Sequence, residues 1–278
     1  MLKTRVFTAV VLLALFLSAV FFLPPAGWVA VVTFVAAIAA WEWGGLLAWG
    51  GAGRIFFGGV FAGLCLVISL WQPAALGMGE AFSTQALAFG RWFYLPAIAF
   101  WGGVVPVWMV RRWSLPKSLT GMCVGLLVLL PSWLALIQLR QIGNLTLLAI
   151  MATVWIADIA AYFFGRTFGR HKLAPTISPG KSWEGAFGGI LAVVVYGYAL
   201  SPWLPPALSG NLSLLAVFLI ALTAVSIVGD LFESLLKRQA GLKDSSQILP
   251  GHGGVLDRID SLTSTLPIVA MTWLVSQS

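Results

Sequence analysis

The sequence predicts an all-α protein: a polytopic bundle of about nine transmembrane helices, with the N-terminus in the cytoplasm. Three observations predict it. The 278 residues are 60% hydrophobic and only 9% charged, too little charge to cover a soluble domain of that length. Apolar stretches near 20 residues recur along the chain, the length a helix needs to cross about 30 Å of hydrocarbon. These stretches are continuous and not alternating, so they read as helices and not as strands of a barrel, the other fold that satisfies its backbone in lipid.

The first stretch, 6–23, follows Lys3 and Arg5. Its apolar core is longer than that of a signal peptide and no A-x-A site follows, so it reads as a retained helix. Stretches 28–49 and 55–72 come next, then 92–110, which Pro96 and Pro106 interrupt. The run continues with 119–138, with 145–165, which contains Asp158, and with 184–201, 212–230 and 259–276. Cys65 and Cys123 fall inside these stretches without metal-ligand spacing and read as small apolar packing residues.

Orientation follows from the basic residues between the spans. With the N-terminus inside, one face collects Lys3, Arg5, Arg54, Arg111, Arg112, Lys117, Arg166, Arg170, Lys172, Lys181, Lys237, Arg238, Lys243 and Arg258. That is 14 of the 16 Lys and Arg residues; only Arg91 and Arg140 fall on the other side. The net charge of +7 is therefore a topology signal and asks for no nucleic-acid partner. The same face suits the anionic headgroups of a lipid bilayer.

The acids divide the chain. Residues 1–157 hold only Glu42 and Glu80, and read as membrane-anchoring helices. Residues 158–278 hold the other seven, and read as a catalytic transmembrane region. In the second part Asp158 lies deep in a span, where an ionisable group usually faces a bundle interior or a water-filled cavity. Tyr162, four residues on, shares its face. A basic loop follows, with Pro175, Pro179 and Gly180 as turn residues. Ser182 or Glu184 is placed to cap the next helix, whose N-terminal amides suit an anion.

Asp230, Glu233 and Lys237 stand at i, i+3 and i+7, one face of a helix, with Ser234 beside them and Gly241 ending it. Asp257 and Asp260 are spaced i, i+3. Gly251, Gly253 and Gly254 allow a ligand close to the backbone and offer N–H groups. Carboxylates with phosphate oxygens suit Mg²⁺, and Lys and Arg suit phosphate. The set describes metal-assisted phosphoryl or nucleotidyl transfer. Zinc does not fit two histidines 81 residues apart, and neither a P-loop nor a G-x-G-x-x-G cradle is present.

The stretch "SLLKRQAGLKDSSQILPGHGGVLDRID", Ser234–Asp260, resembles the signature of the phosphatidate cytidylyltransferase (CDP-diacylglycerol synthase) family at every fixed position. "GDLFES" upstream, "DSLTS" downstream and "WEWGGLL" at 41–47 are similar to bacterial members. The segment Asp158–Gly185 resembles a second family block, with one departure: many relatives carry a second Lys where Gly180 stands. The resemblance implies condensation of CTP with phosphatidic acid, giving CDP-diacylglycerol and pyrophosphate, in a homodimer of a bacterial inner membrane with the site facing the cytoplasm. It implies Asp230, Asp257 and Asp260 as ligands of Mg²⁺, with a second cation left open. Asp230, Lys237, Arg238, Lys243, Asp244, His252 and Arg258 then form the catalytic set. Asp158, Tyr162, Lys181, Ser182, Glu233, Ser234, Gly253 and Gly254 line the substrates. Two rivals stay open: a cytidylyltransferase for another lipid phosphate, and an ion-coupled transporter using Asp158.

Overall fold

The computed structural model describes residues 2–79 and 84–276. Glu80 and Ser278, and the side chains of Lys3 and Arg5, lie outside the described residues. The long helices are α1 (Leu2–Phe22), α2 (Pro25–Leu46), α3 (Gly51–Trp71), α4 (Arg91–Arg111), α5 (Leu119–Ile142), α6 (Asn144–Phe168), α7 (Trp183–Leu200), α8 (Leu212–Gln239) and α9 (Leu256–Ser276). Helices α2 to α9 are long and apolar enough to cross a bilayer, and the apolar part of α1, Val6–Phe22, is shorter. The chain is an all-α polytopic membrane protein, and these helices match the expected apolar stretches one for one.

Local chemistry sets the ends. Pro25 opens α2 at the position where a missing N–H costs nothing. Asn211 caps α8 by accepting from the Leu214 amide at 3.0 Å, and Ser182 caps α7 through Gly185 at 3.2 Å. Helix α4 survives its two prolines through a widened π turn at Phe100–Val104.

Helix α8 continues beyond the apolar span to Gln239, because Leu231, Phe232, Leu235 and Leu236 extend its buried face, and Gly241, with φ +72°, follows its end as expected. Helix α9 begins at Leu256, with Asp257 in its first turn as expected. One local expectation is corrected. Pro179 and Gly180 do not turn: Ser178–Ser182 is a strand, β2, paired antiparallel with β1 (Lys172–Ala174), and the reversal lies at 175–177.

Helices in lipid gain little from apolar attraction, so close backbone approach and interhelical hydrogen bonds hold them. Gly185 and Gly189 of α7 face α6; a Cβ there would stand 2.7 and 3.0 Å from the Ala161 and Ala157 carbonyls. A Cβ at Gly229 of α8 would stand 2.5 Å from Ser264 Oγ and 3.1 Å from the Asp260 carbonyl, so α8 and α9 meet closely at the level of two acids. Ser132 donates to the Thr263 carbonyl at 3.0 Å and Ser264 to that of Val225 at 3.0 Å, tying α9 to α5 and α8. Trp28, Trp43, Trp101 and Trp133 are fully buried. The Trp43 indole donates to Gly121 of α5 at 3.1 Å and stacks where Gly125 leaves room.

One end of the bundle gathers the C-termini of α2, α4, α6 and α8 with the N-termini of α3, α5, α7 and α9. Gln239 after α8 donates to the Trp113 carbonyl at 2.8 Å, and Arg112 reaches Thr176 of the β-hairpin at 3.1 Å. Arg140, one of the two basic residues apart from the rest, serves the opposite end. It donates to the Val20 carbonyl at 2.9 Å and to that of Leu23, closing the C-terminus of α1, and covers the Trp28 ring.

Candidate active site

The charged end of the bundle is built from α8 outward. Asp230, Glu233, Ser234 and Lys237 do share one helical face, as their spacing predicts. Glu233 is 4% exposed and Lys237 8% exposed. The Lys237 ammonium lies 2.5 Å from Asp257 Oδ1 and 3.3 Å from Glu233 Oε1, so one cation is held between two carboxylates. Both oxygens of Glu233 are buried, and they face the Lys237 ammonium and the neighbouring Asp260 carboxyl. Removing one partner from such a buried set strands an uncompensated charge, at a cost of about 3–5 kcal/mol.

Asp257 heads α9. Its Oδ2 accepts from the Ser245 amide at 2.9 Å, the Ser245 hydroxyl at 3.0 Å and the Gly254 amide at 2.8 Å. Both of its oxygens are thus engaged by protein donors. Asp230 pairs with Lys181 of β2 at 2.6 Å and accepts from Ser234 at 3.3 Å. Asp260 accepts from the Ser261 amide at 2.8 Å and lies within electrostatic range of Asp230, Glu233 and Lys237. Asp158 of α6 feels Lys181, Asp230 and Arg258. Its side chain is exposed, so it opens to the surface of the bundle and not into a sealed interior.

The remaining sequence candidates divide. Arg238, Lys243, Asp244 and Arg258 are exposed around the same end, with Arg238 donating to the Leu242 carbonyl at 3.2 Å. His252 sits 3.4 Å from the Pro250 carbonyl and is apart from the carboxylate network. Tyr162 points outward; its hydroxyl accepts from Arg166 at 3.0 Å, and among the described residues no bond joins it to the acids. Ser182 is buried as the cap of α7. Glu184 accepts from the His171 amide at 3.2 Å and meets its ring at 2.7 Å, holding the β-hairpin to α7.

The glycines are also required by the protein's own packing. Gly253 has φ +83° and Gly251 φ +77°, conformations that other residues resist. A Cβ on Gly253 would stand 2.9 Å from Asp257 Oδ2, and one on Gly254 2.5 Å from Glu42 Oε1. They make room for the protein's own carboxylates.

Glu42 is the residue that sequence reasoning missed. It is 0% exposed and belongs to α2, far from the signature in sequence. It accepts from Ser245 Oγ at 3.1 Å, Ser246 Oγ at 2.5 Å, the Val255 amide at 3.0 Å and the Leu256 amide at 2.6 Å. The available signal was an acid inside an apolar span, between Trp41 and Trp43, the same expensive placement that singled out Asp158.

Residues 3–275 match the model of the cytidylyltransferase family. The chain is 40% identical to the phosphatidate cytidylyltransferase of Pseudomonas aeruginosa, over 98% of this chain and 97% of that one. It is 35% identical to the enzyme of that name from Haemophilus influenzae, over 96% of each. The Brucella suis protein of the same name is 46% identical over 127 residues, 46% of each chain.

Proposed function

This chain belongs to the cytidylyltransferase family, and we propose that it transfers CMP from CTP to phosphatidic acid, giving CDP-diacylglycerol and pyrophosphate. The observation that carries the reading is the network at one end of the bundle. It joins Lys237, Glu233 and Asp257 in a buried cluster, with Asp230–Lys181 beside it and Arg238, Lys243 and Arg258 exposed around it. The names of the relatives support the substrates.

A phosphate oxygen of phosphatidic acid attacks the α-phosphorus of CTP. The bond from that phosphorus to the bridging oxygen breaks, and pyrophosphate leaves with the electron pair. The nucleophile is already an anion near neutral pH, so no general base is needed. The difficulty is bringing two polyanions together in line, which asks for fixed positive charge and orientation. Arg238, Lys243 and Arg258 supply that charge toward the phosphates, and Lys181 joins them when its partner Asp230 turns to a cation. Lys237 is committed to Glu233 and Asp257, so its role is to hold those carboxylates in place.

A Mg²⁺ ion would add neutralisation of the developing phosphate charge. Among the described residues no three acids or histidines converge tightly enough to hold an ion unaided. That suits Mg²⁺, which takes one or two carboxylates and completes its shell with phosphate oxygens and water. Of the three expected ligands, Asp230 and Asp260 have fewer protein donors than Asp257. Asp257 would join them by giving up one of its own.

The basic residues favour an N-terminus and an active site in the cytoplasm, where CTP is found, in a bacterial inner membrane. A homodimer accords with the family resemblance. The test is the purified protein with labelled CTP, Mg²⁺ and separate lipid phosphates in vesicles. Lipid-linked CMP should form with phosphatidic acid. Preference for an isoprenoid or ether-lipid phosphate, or CTP left intact, would overturn the assignment.

A further inference from the structure

We propose that Glu42 is a positioning residue for the reaction: from α2 it clamps the signature loop to the N-terminus of α9, and so presents Asp257 to Lys237. The inference rests on the cytidylyltransferase reading for its kinetic consequence, but not for its structural one. Glu42 has no exposed surface, and four donors converge on its carboxylate. Two are hydroxyls from Ser245 and Ser246 at the start of the loop. Two are the amides of Val255 and Leu256 at its end, where α9 leaves N–H groups without helical partners. One carboxylate therefore closes the ten-residue interval between Ser246 and Val255 from outside it.

The same contact reaches the reacting end. The Ser245 hydroxyl stands between Glu42 Oε2 at 3.1 Å and Asp257 Oδ2 at 3.0 Å, with a single proton to give. The two Asp257 amide donors, from Ser245 and Gly254, each adjoin a Glu42 contact: Ser246 follows Ser245 and Val255 follows Gly254. Displace Glu42 and the groups that hold Asp257 lose their own anchor. A side chain that only filled space in α2 would need neither its charge nor this donor set. Gly254 adds an independent mark, since a Cβ there would stand 2.5 Å from Glu42 Oε1.

Glu42→Gln is the sharp test, because it preserves volume. Its single acceptor oxygen can serve one side. The amide NH₂ must then face Leu256 N–H or Val255 N–H, donor against donor. Two readouts apply, both on the full-length protein in detergent. In hydrogen exchange, peptides covering 245–257 should exchange at least about tenfold faster than in the wild type, as expected for loss of buried charge-assisted bonds. Peptides from the middle of α5 and α8 should be unchanged. In kinetics, kcat per folded molecule should fall by about tenfold or more while the KM for CTP stays within about threefold, and Glu42→Ala should be worse on both measures.

Unchanged exchange at 245–257 would overturn the clamp whether or not the protein turns over CTP. Faster exchange with kcat within about twofold of wild type would show a purely structural brace and overturn the positioning role. Should Glu42→Gln fail to fold, Ser246→Ala removes one donor and leaves the carboxylate in place. It should move exchange and kcat in the same directions by less, and no movement in either would overturn the proposal. Failure of the wild type to consume CTP would sink the activity reading alone.

Discussion

Replacing Asp257 by asparagine tests the buried charge cluster in the least disruptive way. The shape is kept and one acceptor oxygen becomes an NH₂. Asp257 uses one oxygen for Lys237 at 2.5 Å and the other for three donors from Ser245 and Gly254. The carboxamide can satisfy only one of these sides. Turned toward the loop, its oxygen keeps the amides and its NH₂ faces an ammonium, so Lys237 is left with Glu233 alone. Turned the other way, the NH₂ opposes two backbone N–H groups. The first choice forfeits a buried ion pair, worth about 3–5 kcal/mol when one partner is removed. The second forfeits about 1–3 kcal/mol for each stranded donor. Either route takes at least about 2 kcal/mol from the arranged site, so turnover should fall by about thirtyfold or more. The assay is CTP turnover in detergent at saturating Mg²⁺, normalised to folded protein by thermal melting. Retention of more than about a tenth of wild-type turnover, less than ~1.4 kcal/mol of barrier, would refute the claim that Asp257 is held for the reaction.

Lys237→Met should be more damaging still, because it leaves Glu233 and Asp257 buried together without a cation; His252→Gln should cost little and leave the pH–rate profile unchanged, since among the described residues the His252 ring meets the Pro250 carbonyl and no carboxylate. A lost limb in the His252→Gln profile with near-normal Lys237→Met turnover would reverse these roles. Gly254→Ala places a methyl against Glu42 and Ser245 and should lower turnover by about fivefold or more, as expected for an overpacked site costing about 1–3 kcal/mol; wild-type turnover would show that the loop yields freely. Arg140→Met should lower the melting temperature, by stranding the Val20 and Leu23 carbonyls at about 1–3 kcal/mol, while kcat is unaltered; an unchanged melting temperature would mean that the end of α1 finds other donors. A tag in the 166–181 loop should be reached only from the cytoplasmic side, and periplasmic labelling there would invert the topology.

Much of the architecture is legible in the sequence because lipid imposes a simple rule: twenty apolar residues, helical and continuous. Charge is scarce, so each acid and base in 158–278 stands out, and the i, i+3, i+7 spacing placed Asp230, Glu233 and Lys237 on one face correctly. What the sequence does not display is partnership across helices. Lys237 and Asp257 are 20 residues apart on different helices, and only the fold shows that the lysine neutralises protein carboxylates. Glu42 reaches Leu256 across 214 positions. Its serine and amide donors have no signature, because any loop contains such groups. Ser178–Ser182 misled for a local reason: proline and glycine favour turns, yet both are tolerated in a two-stranded ribbon with free edges.

Positional isotope tracing tests the central claim most directly. CTP labelled separately at the α- and γ-phosphorus is supplied to the purified protein in bilayer discs containing phosphatidic acid and Mg²⁺. The account predicts that α-label enters the lipid phase and γ-label leaves as pyrophosphate in equal amounts, and that both transfers collapse together in Asp257→Asn. Label from the γ-position in the lipid, or release of inorganic phosphate with no α-label in the lipid, would contradict it.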